Sequence, residues 1–393
     1  MALSNKKYQV IYDCYYGEGG FEDNATESYL IKDVTETDED YNRRLQSSDY
    51  SNLFQPIIDV AINRITTNPP IIETQSEDLL TFINNQFITK CNNILLFLKL
   101  YDQAYFGLNL KEGYLPTIIN VNSKDITSVI IDDLNNVIEL DWIQYESYST
   151  LKIPVQCLYK YELGNEVGNI TKKTLAYYDD DGKLTLEATE RRATIFDTNS
   201  PALIKKYGLN NITDTPSTWT LAKSNVWLFR QQSNIDNILH KFAFPVLAIS
   251  TDQQLEDINL GPSRNILVLP THVTKMPEYI QADSTSYDTL SDNISKKVQI
   301  IMDFYGGKEI EGASANSVIG TILVNERETE AVNSTYYIYQ SIVETLLDIF
   351  ILFVGKSITY ETIWPSLKYN LPGDEDETSE KSVAVVGNDL IKE

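Results

Sequence analysis

The sequence predicts an α+β fold, and three observations carry that expectation. Apolar residues recur at 3- and 4-residue spacing in long stretches on both sides of the chain's middle. Between Leu115 and Phe196, about 80 residues, the period falls to 2, and Ile, Val and Tyr predominate. Helical spacing returns at Trp219 and recurs, with interruptions, as far as Val354.

Taken in order, the first 36 residues are polar and punctuated by Gly17, Gly19 and Gly20, which reads as an N-terminal arm or loosely packed start (1–37). An acidic N-cap at Asp38 opens a helix that runs, with room for a break, to Thr66. Its apolar positions Leu53, Ile57, Val60, Ala61 and Ile65 share one face. Pro69-Pro70 ends it, because proline removes a donor and restricts the residue before it. A second helical stretch, about Ser76 to Tyr105, carries Leu79, Ile83, Phe87, Cys91, Ile94 and Leu98, and Gly107 closes it.

The period-2 region contains Thr117–Val121, Ser128–Ile131, Val137–Tyr145 and Ile153–Tyr161, separated by polar turns such as Asp132–Asn136 and Asp179–Gly182. It reads as a β-rich meander. From Trp219 the residues Ala222, Val226, Phe229, Ile235 and Leu239 form a helical stripe that Pro245 stops. Three short strands follow, at Val246–Ser250, Asn265–Leu269 and Glu278–Ala282, joined by proline-containing loops. A helix is expected over Ser286–Tyr305, ended by Gly306-Gly307, then a Gly/Ser/Ala/Asn-rich loop to Gly320. The last long helix is expected over Asn325–Val354, and the tail after Pro372 is acidic (Asp374-Glu-Asp-Glu377).

The chain has 393 residues, enough for two or three structural units. With 32 Lys+Arg against 56 Asp+Glu, the net charge is −24. That argues against a protein that coats nucleic acid with its whole surface, since tight phosphate binding needs cations. Cys14, Cys91 and Cys157 are odd in number and far apart, which argues against a disulfide scaffold and fits a reducing compartment. No targeting segment is visible at the N-terminus. The most apolar stretch, Ile342–Val354, is too short to span a bilayer and contains Glu344 and Asp348, so a buried helix and a soluble protein are expected.

Motifs of catalysis are missing. No phosphate-cradling Gly-x-x-x-x-Gly-Lys-Ser/Thr, Gly-x-Gly-x-x-Gly or Gly-x-Ser-x-Gly is present. The two histidines, His240 near a helix end and His272 in a loop, have no second His or Cys nearby, so no metal site is expected. Asp179-Asp-Asp-Gly182 has the composition of a cation loop but lacks the bidentate acid, and a hairpin turn accounts for it. Glu309 with Glu311, and Glu326, Glu328 and Glu330, read as solvated acids in an acid-rich chain. Gly306-Gly-Lys308 follows a helix instead of opening one, so it reads as a terminator and loop. The 25 tyrosines mostly alternate with polar residues, as half-buried strands require. No cofactor and no enzymatic activity are expected.

Three stretches carry a family resemblance. The first is Glu39-Asp-Tyr-Asn-Arg-Arg-Leu45 with Tyr50-Ser-Asn52 and Pro56-Ile-Ile-Asp59…Arg64. The second is Ile118–Tyr145, with Ile119-Asn-Val121 and Lys124-Asp-Ile126. The third is Leu221-Ala-Lys-Ser-Asn-Val-Trp-Leu-Phe-Arg230, Ser233–His240 and Phe244-Pro-Val-Leu247. Their order over about residues 38–355 resembles the portal (head–tail connector) proteins of tailed double-stranded DNA bacteriophages.

That resemblance implies a ring-forming architecture: a wing (38–220, helices 38–106 and a β-rich part 115–196), a stem helix (221–243), a clip (244–283), a second stem helix (284–305), a tunnel loop (306–322), a long wing helix (323–355) and a short crown with acidic tail (356–393). It implies a non-enzymatic dodecamer at one capsid vertex of the virion, assembled in the host cytoplasm, with no membrane. Double-stranded DNA would pass through its channel during packaging and ejection. Its partners would be the terminase large subunit, the head–tail adaptor, and the major capsid and scaffold proteins. Twelve copies at −24 each would carry −288 formal charges, so DNA would slide instead of sticking. The implied channel residues are Lys296, Lys297, Lys308, Glu309, Ser314 and Asn316. The implied docking residues are Asp257, Asn259, Arg264, His272, Lys275 and Glu278. Two rival readings stand beside this one: an acidic, Tyr-rich binding module of a phage or bacterial surface structure, and an enzyme with an unfamiliar site.

Overall fold

The computed structural model describes residues 6–19, 21, 29–34, 36–110, 114–132, 136–148, 151–161, 167–174, 177–178, 184–185, 198–208, 215–243, 246–250, 266–269, 278–280, 285–305, 318–354, 358–365 and 383–384. The mixture of helices and sheets is α+β. The N-terminal elements are α1 (Lys6–Tyr16), α2 (Asp38–Ser47), α3 (Phe54–Thr66), β1 (Ile71–Thr74), α4 (Glu77–Asn84) and α5 (Phe87–Tyr101). Strands β2 (Ala104–Asn109), β3 (Thr117–Val121), β4 (Ile126–Ile131), β5 (Val137–Tyr148), β6 (Leu151–Lys160), β7 (Gly168–Thr174), β8 (Tyr177–Tyr178), β9 (Leu184–Thr185) and β10 (Thr198–Tyr207) follow. Then come α6 (Trp219–Ala243), β11 (Val246–Ser250), β12 (Ile266–Leu269), β13 (Glu278–Ile280), α7 (Thr285–Tyr305), α8 (Val318–Val354), β14 (Tyr360–Ile363) and β15 (Val383–Ala384).

The chain divides into two compact units, each assembled from separated stretches: residues 1–12, 58–219 and 313–393, and residues 13–57 and 220–312. The centre of the first unit is a seven-stranded antiparallel sheet, ordered β3-β2-β10-β7-β6-β5-β4. Alternation puts Tyr105, Leu140, Trp142, Cys157, Tyr159, Ile170 and Ile204 on one face, where they form a single buried cluster. An antiparallel bridge between Asn136 and Lys205 draws the start of β5 against β10, a non-neighbour in the sheet, so the sheet curls over this cluster. The opposite face of β2, with Ala104, Phe106 and Leu108 fully buried, is covered by α5 and α8. Phe82 of α4 stacks on Phe350 of α8 at 4.6 Å, and Tyr339 of α8 donates to Asn92 Oδ1 of α5 at 2.6 Å. β14 pairs with both β1 and β15 in a separate three-stranded sheet.

Two prolines sit inside sheet strands, each where a missing donor does no harm. Pro154 of β6 faces Tyr145 but lies beyond the end of β7, whose last pairing is Thr174 with Val155. Pro201 of β10 faces Asn169 but lies beyond the end of β2, whose last pairing is Asn109 with Ala202. Each has a partner strand on one side only, which is where strand proline is tolerated.

In the second unit, β11 lies between β12, which it pairs with in parallel, and β13, antiparallel. Helix α2 is opened by Thr37, whose hydroxyl accepts from Asp40 N at 3.1 Å.

Several expectations need correction. The supposed arm contains α1, with Ile11 and Cys14 fully buried; Tyr8, Ile11 and Tyr15 form an apolar stripe hidden among polar neighbours. The helical stretch expected over 38–66, with room for a break, is two helices, α2 and α3, separated at Ser48–Leu53. The helix expected over 76–105 is also two: Gln86 is left-handed (φ 61°), and Asp102 (φ 56°) ends α5. Asp102 is held there because its carboxylate accepts Ser217 N at 2.5 Å and Ser217 Oγ at 2.9 Å. Gly107 is not a helix stop but mid-strand: a Cβ there would lie 1.8 Å from the Leu203 carbonyl oxygen. The sheet extends past 196 to include β10. Residues 38–57 group with α6 and α7, not with the sheet. Helix α8 begins at Val318, inside the loop expected over 306–322; residues 306–317 of that loop lie outside the described residues. The apolar stretch of α8 is also longer than expected: Asn333–Val354 has the length and hydropathy of a bilayer span. Yet Tyr339, Ile342, Val343, Leu346, Leu347 and Phe350 on it are fully buried within its unit.

Candidate functional site

The site is built on α6 and α7. Along α6, Leu221, Ala222, Asn225, Val226, Leu228 and Phe229 are buried, and the polar groups among them are matched by the segment 13–53. Asn225 donates to the Tyr50 hydroxyl, and its Oδ1 accepts Leu53 N at 3.1 Å. Arg230 Nε donates to Tyr29 O at 2.7 Å, Gln232 to Ser51 Oγ at 2.8 Å, and Ser48 Oγ to Ser233 Oγ at 2.7 Å. Phe21 stacks on Tyr29 and Tyr50, with ring centroids 4.2 Å apart in each pair, and meets Phe229 edge-on at 5.3 Å. Tyr29 donates to the buried Asp13 carboxylate at 2.6 Å; burial first, then that carboxylate, pushes the Tyr29 phenol well above its usual range.

The motif around Glu39–Leu45 is part of the same framework. Tyr41 donates to Leu30 O at 2.7 Å. Arg44 Nε reaches Glu36 Oε1 at 2.8 Å, and its Nη2 reaches Glu36 Oε2 at 2.6 Å and Ile31 O at 2.9 Å. Tyr41 and Arg44 are therefore fold-forming residues, as are Asn225 and Arg230.

Helix α7 sets the geometry of its two adjacent lysines. Ile294 and Ile301 are its buried positions. Lys297, three residues after Ile294 and four before Ile301, falls on that stripe, and its Nζ lies 4.1 Å from the centroid of the Trp227 ring on α6. Lys296 lies off the stripe and is exposed, as are Asp288, Asp292 and Ile300. On α6, Lys223 is exposed one turn before Trp227. Among the described residues neither Lys296 nor Lys297 takes part in an ion pair. Near the C-terminal half of α6, the Asp236 carboxyl is raised by burial first and then by the Asp49 carboxylate.

Of the residues implied for the channel, Lys296 and Lys297 are placed on one helix, one exposed and one seated on an indole. Lys308, Glu309, Ser314 and Asn316 lie outside the described residues. Of those implied for docking, Glu278 is the first residue of β13, while Asp257, Asn259, Arg264, His272 and Lys275 lie outside. Trp227 and Lys223 were missed by sequence reasoning, although their four-residue spacing put them on one helical face. Trp227's meeting with Lys297 depends on two helices seventy residues apart in sequence and left no local signal.

Chemically, this arrangement offers cations to an anion. The thiols of Cys14 and Cys91 are raised far by burial, which keeps them protonated. Among the described residues no three His, Cys, Asp or Glu side chains gather as a metal site. No protein-family model matches the chain, and no curated protein matches it either.

Proposed function

We propose that the chain is a portal protein: a non-enzymatic, twelve-membered ring at one capsid vertex of a tailed bacteriophage. It forms the channel for DNA during packaging and ejection, docks the terminase, and later docks the head–tail adaptor. The observation that carries this reading is the order of elements after the β-rich part. A 25-residue helix α6 leads into the small sheet β12-β11-β13, the chain returns through the 21-residue α7, and the 37-residue α8 closes it. That order matches the stem, clip, stem and long wing helix that the portal resemblance implies. The net charge of −24 supports it, because an acidic wall lets a phosphate backbone slide. Lys296 and Lys297 on α7 are the cations assigned to the passing backbone, and the surface around β13 with Glu278 is assigned to docking.

The test is the mass and shape of the purified protein by light scattering and negative-stain imaging. Twelve copies of 44.7 kDa give about 536 kDa, and a ring with a central hole is the expected image. A compact monomer or trimer at high concentration overturns the portal reading in favour of an acidic, Tyr-rich binding module.

A further inference from the structure

We infer that Trp227 is a positioning residue for an anion contact: it seats Lys297 so that the α6–α7 surface presents a fixed cation to the phosphodiester backbone of duplex DNA. The inference rests on the channel reading above and names the pair of residues that acts in it.

Helix phase separates two lysines that look equivalent in sequence. Lys296 is exposed, whereas Lys297 lies between Ile294 and Ile301 on the packing stripe, with its Nζ over the Trp227 ring at 4.1 Å. A free lysine surrenders about 2 kcal/mol of rotamer freedom when it is fixed by a ligand. Lys297 is restricted before any ligand arrives.

What restricts it matters as much as the restriction. A carboxylate would fix the side chain but neutralise it, and a phosphate would have to compete. An indole face attracts the cation through its quadrupole and leaves the full positive charge in place. Of the acids on these helices, Asp303 near the end of α7 lies outside the described side chains; Asp288 and Asp292 on α7, with Asp292 one turn before Lys296, and Asp236 on α6 do not pair with Lys297 among the described residues. Lys223, exposed on α6 one turn before Trp227, is a further cation on these helices in a chain of net charge −24. Ammonium groups contact phosphate as point charges without reading bases, which suits a backbone in motion more than a sequence-specific site. An acidic peptide would meet the same cations, but the chain's own acidity makes acidic proteins poor partners over the rest of its surface.

The experiment measures binding of a fluorescein-labelled short DNA duplex to the full-length protein by anisotropy across a salt series, with light scattering on every variant. Lys297→Gln should weaken binding and flatten the plot of log affinity against log salt by about one unit per contact. Trp227→Leu should weaken binding about 2- to 30-fold, the range of a cation–π contact, with the salt slope unchanged because the cation remains. The double variant Trp227→Leu/Lys297→Gln should bind like Lys297→Gln alone, and Trp227→Tyr should keep most of the affinity. An additive double variant, or a silent Trp227→Leu beside a damaging Lys297→Gln, overturns the positioning role and leaves the channel reading standing. If Lys296→Gln/Lys297→Gln leaves duplex binding unchanged in an intact ring, the lysine assignment of the channel reading falls first. If the wild type ignores the duplex at low salt but binds poly-glutamate, the partner class is wrong. Should Trp227→Leu fail to assemble, competitive acetylation of the wild type decides: Lys297 should react more slowly than Lys296, and equal rates overturn the seating.

Discussion

Replacing Glu36 by Gln is expected to destabilise the unit built from residues 13–57 and 220–312 by about 3 kcal/mol. Glu36 and Arg44 form a bidentate pair at 2.8 and 2.6 Å, with side chains only 6% and 7% exposed. Glutamine keeps the volume but removes the charge and offers one acceptor where the guanidinium uses two. Breaking one partner of a buried pair costs about 3–5 kcal/mol, and the lower end applies here because Arg44 Nη2 retains Ile31 O at 2.9 Å. The assay is urea unfolding followed by circular dichroism, where a slope of about 2 kcal/mol per molar converts the loss into a midpoint shift of about 1.5 M. Replacing both partners, Glu36→Leu with Arg44→Met, should recover most of the loss, because no charge is then left buried. The pH dependence has a definite sign. Hydrogen bonding to Arg44 holds the Glu36 carboxyl below its ordinary value of 4.5, so the pair stabilises fully above that value. Its contribution is lost as pH falls through the lowered folded-state value. The gap between wild type and Glu36→Gln must therefore close on acidification. A neutral-pH loss under about 0.5 kcal/mol, or a gap that persists in acid, would refute the reasoning.

Further outcomes follow from single contacts. Gly107→Ala places a Cβ 1.8 Å from Leu203 O, so β2 and β10 must part; a loss of about 3 kcal/mol or more, or no soluble protein, is expected in thermal melts. Gln86→Gly relieves a left-handed residue with no side-chain cap and should stabilise by up to about 1 kcal/mol, whereas Asp102→Gly also loses both bonds to Ser217 and should not. The Glu344 carboxyl is raised by burial first and then by Asp348, so its charged form opposes folding and stability falls as pH rises through that raised value; Glu344→Gln should stabilise at neutral pH and make no difference in acid. On the portal reading, Glu278→Gln or Arg264→Gln should leave ring mass unchanged while weakening adaptor capture, and a dissolved ring would contradict the docking assignment.

How much was legible depended on whether a residue's role was local. The stripe Ala222–Val226–Phe229 marks α6 from Trp219 onward, and the alternation in Thr117–Val121 marks β3 to the residue, because both periods follow from the element itself. Gly107 misled for the opposite reason. It looks like punctuation, yet it is there to let Leu203 O approach. That fact belongs to a strand pair nearly a hundred residues apart. Helix α1 was hidden because tyrosines did the work of aliphatic residues: Tyr8 and Tyr15 are as buried as a core leucine.

The same distinction decides which motif residues speak for function. Tyr41, Arg44, Asn225 and Arg230 belong to the stretches that suggested a family, and every one of them bonds to the segment that braces α6. They are evidence about how a helix is anchored, since buried bidentate and amide contacts have little tolerance for substitution. A role in passing DNA must instead fall on groups that the fold leaves charged and reachable. Among the described side chains of α6 and α7, Lys223, Lys296 and the indole-seated Lys297 are the cations in question on the portal reading. Lys296 and Lys297 are neighbours that look equivalent in sequence. Helix phase and one aromatic neighbour make them unequal, seating Lys297 on the Trp227 ring and leaving Lys296 exposed.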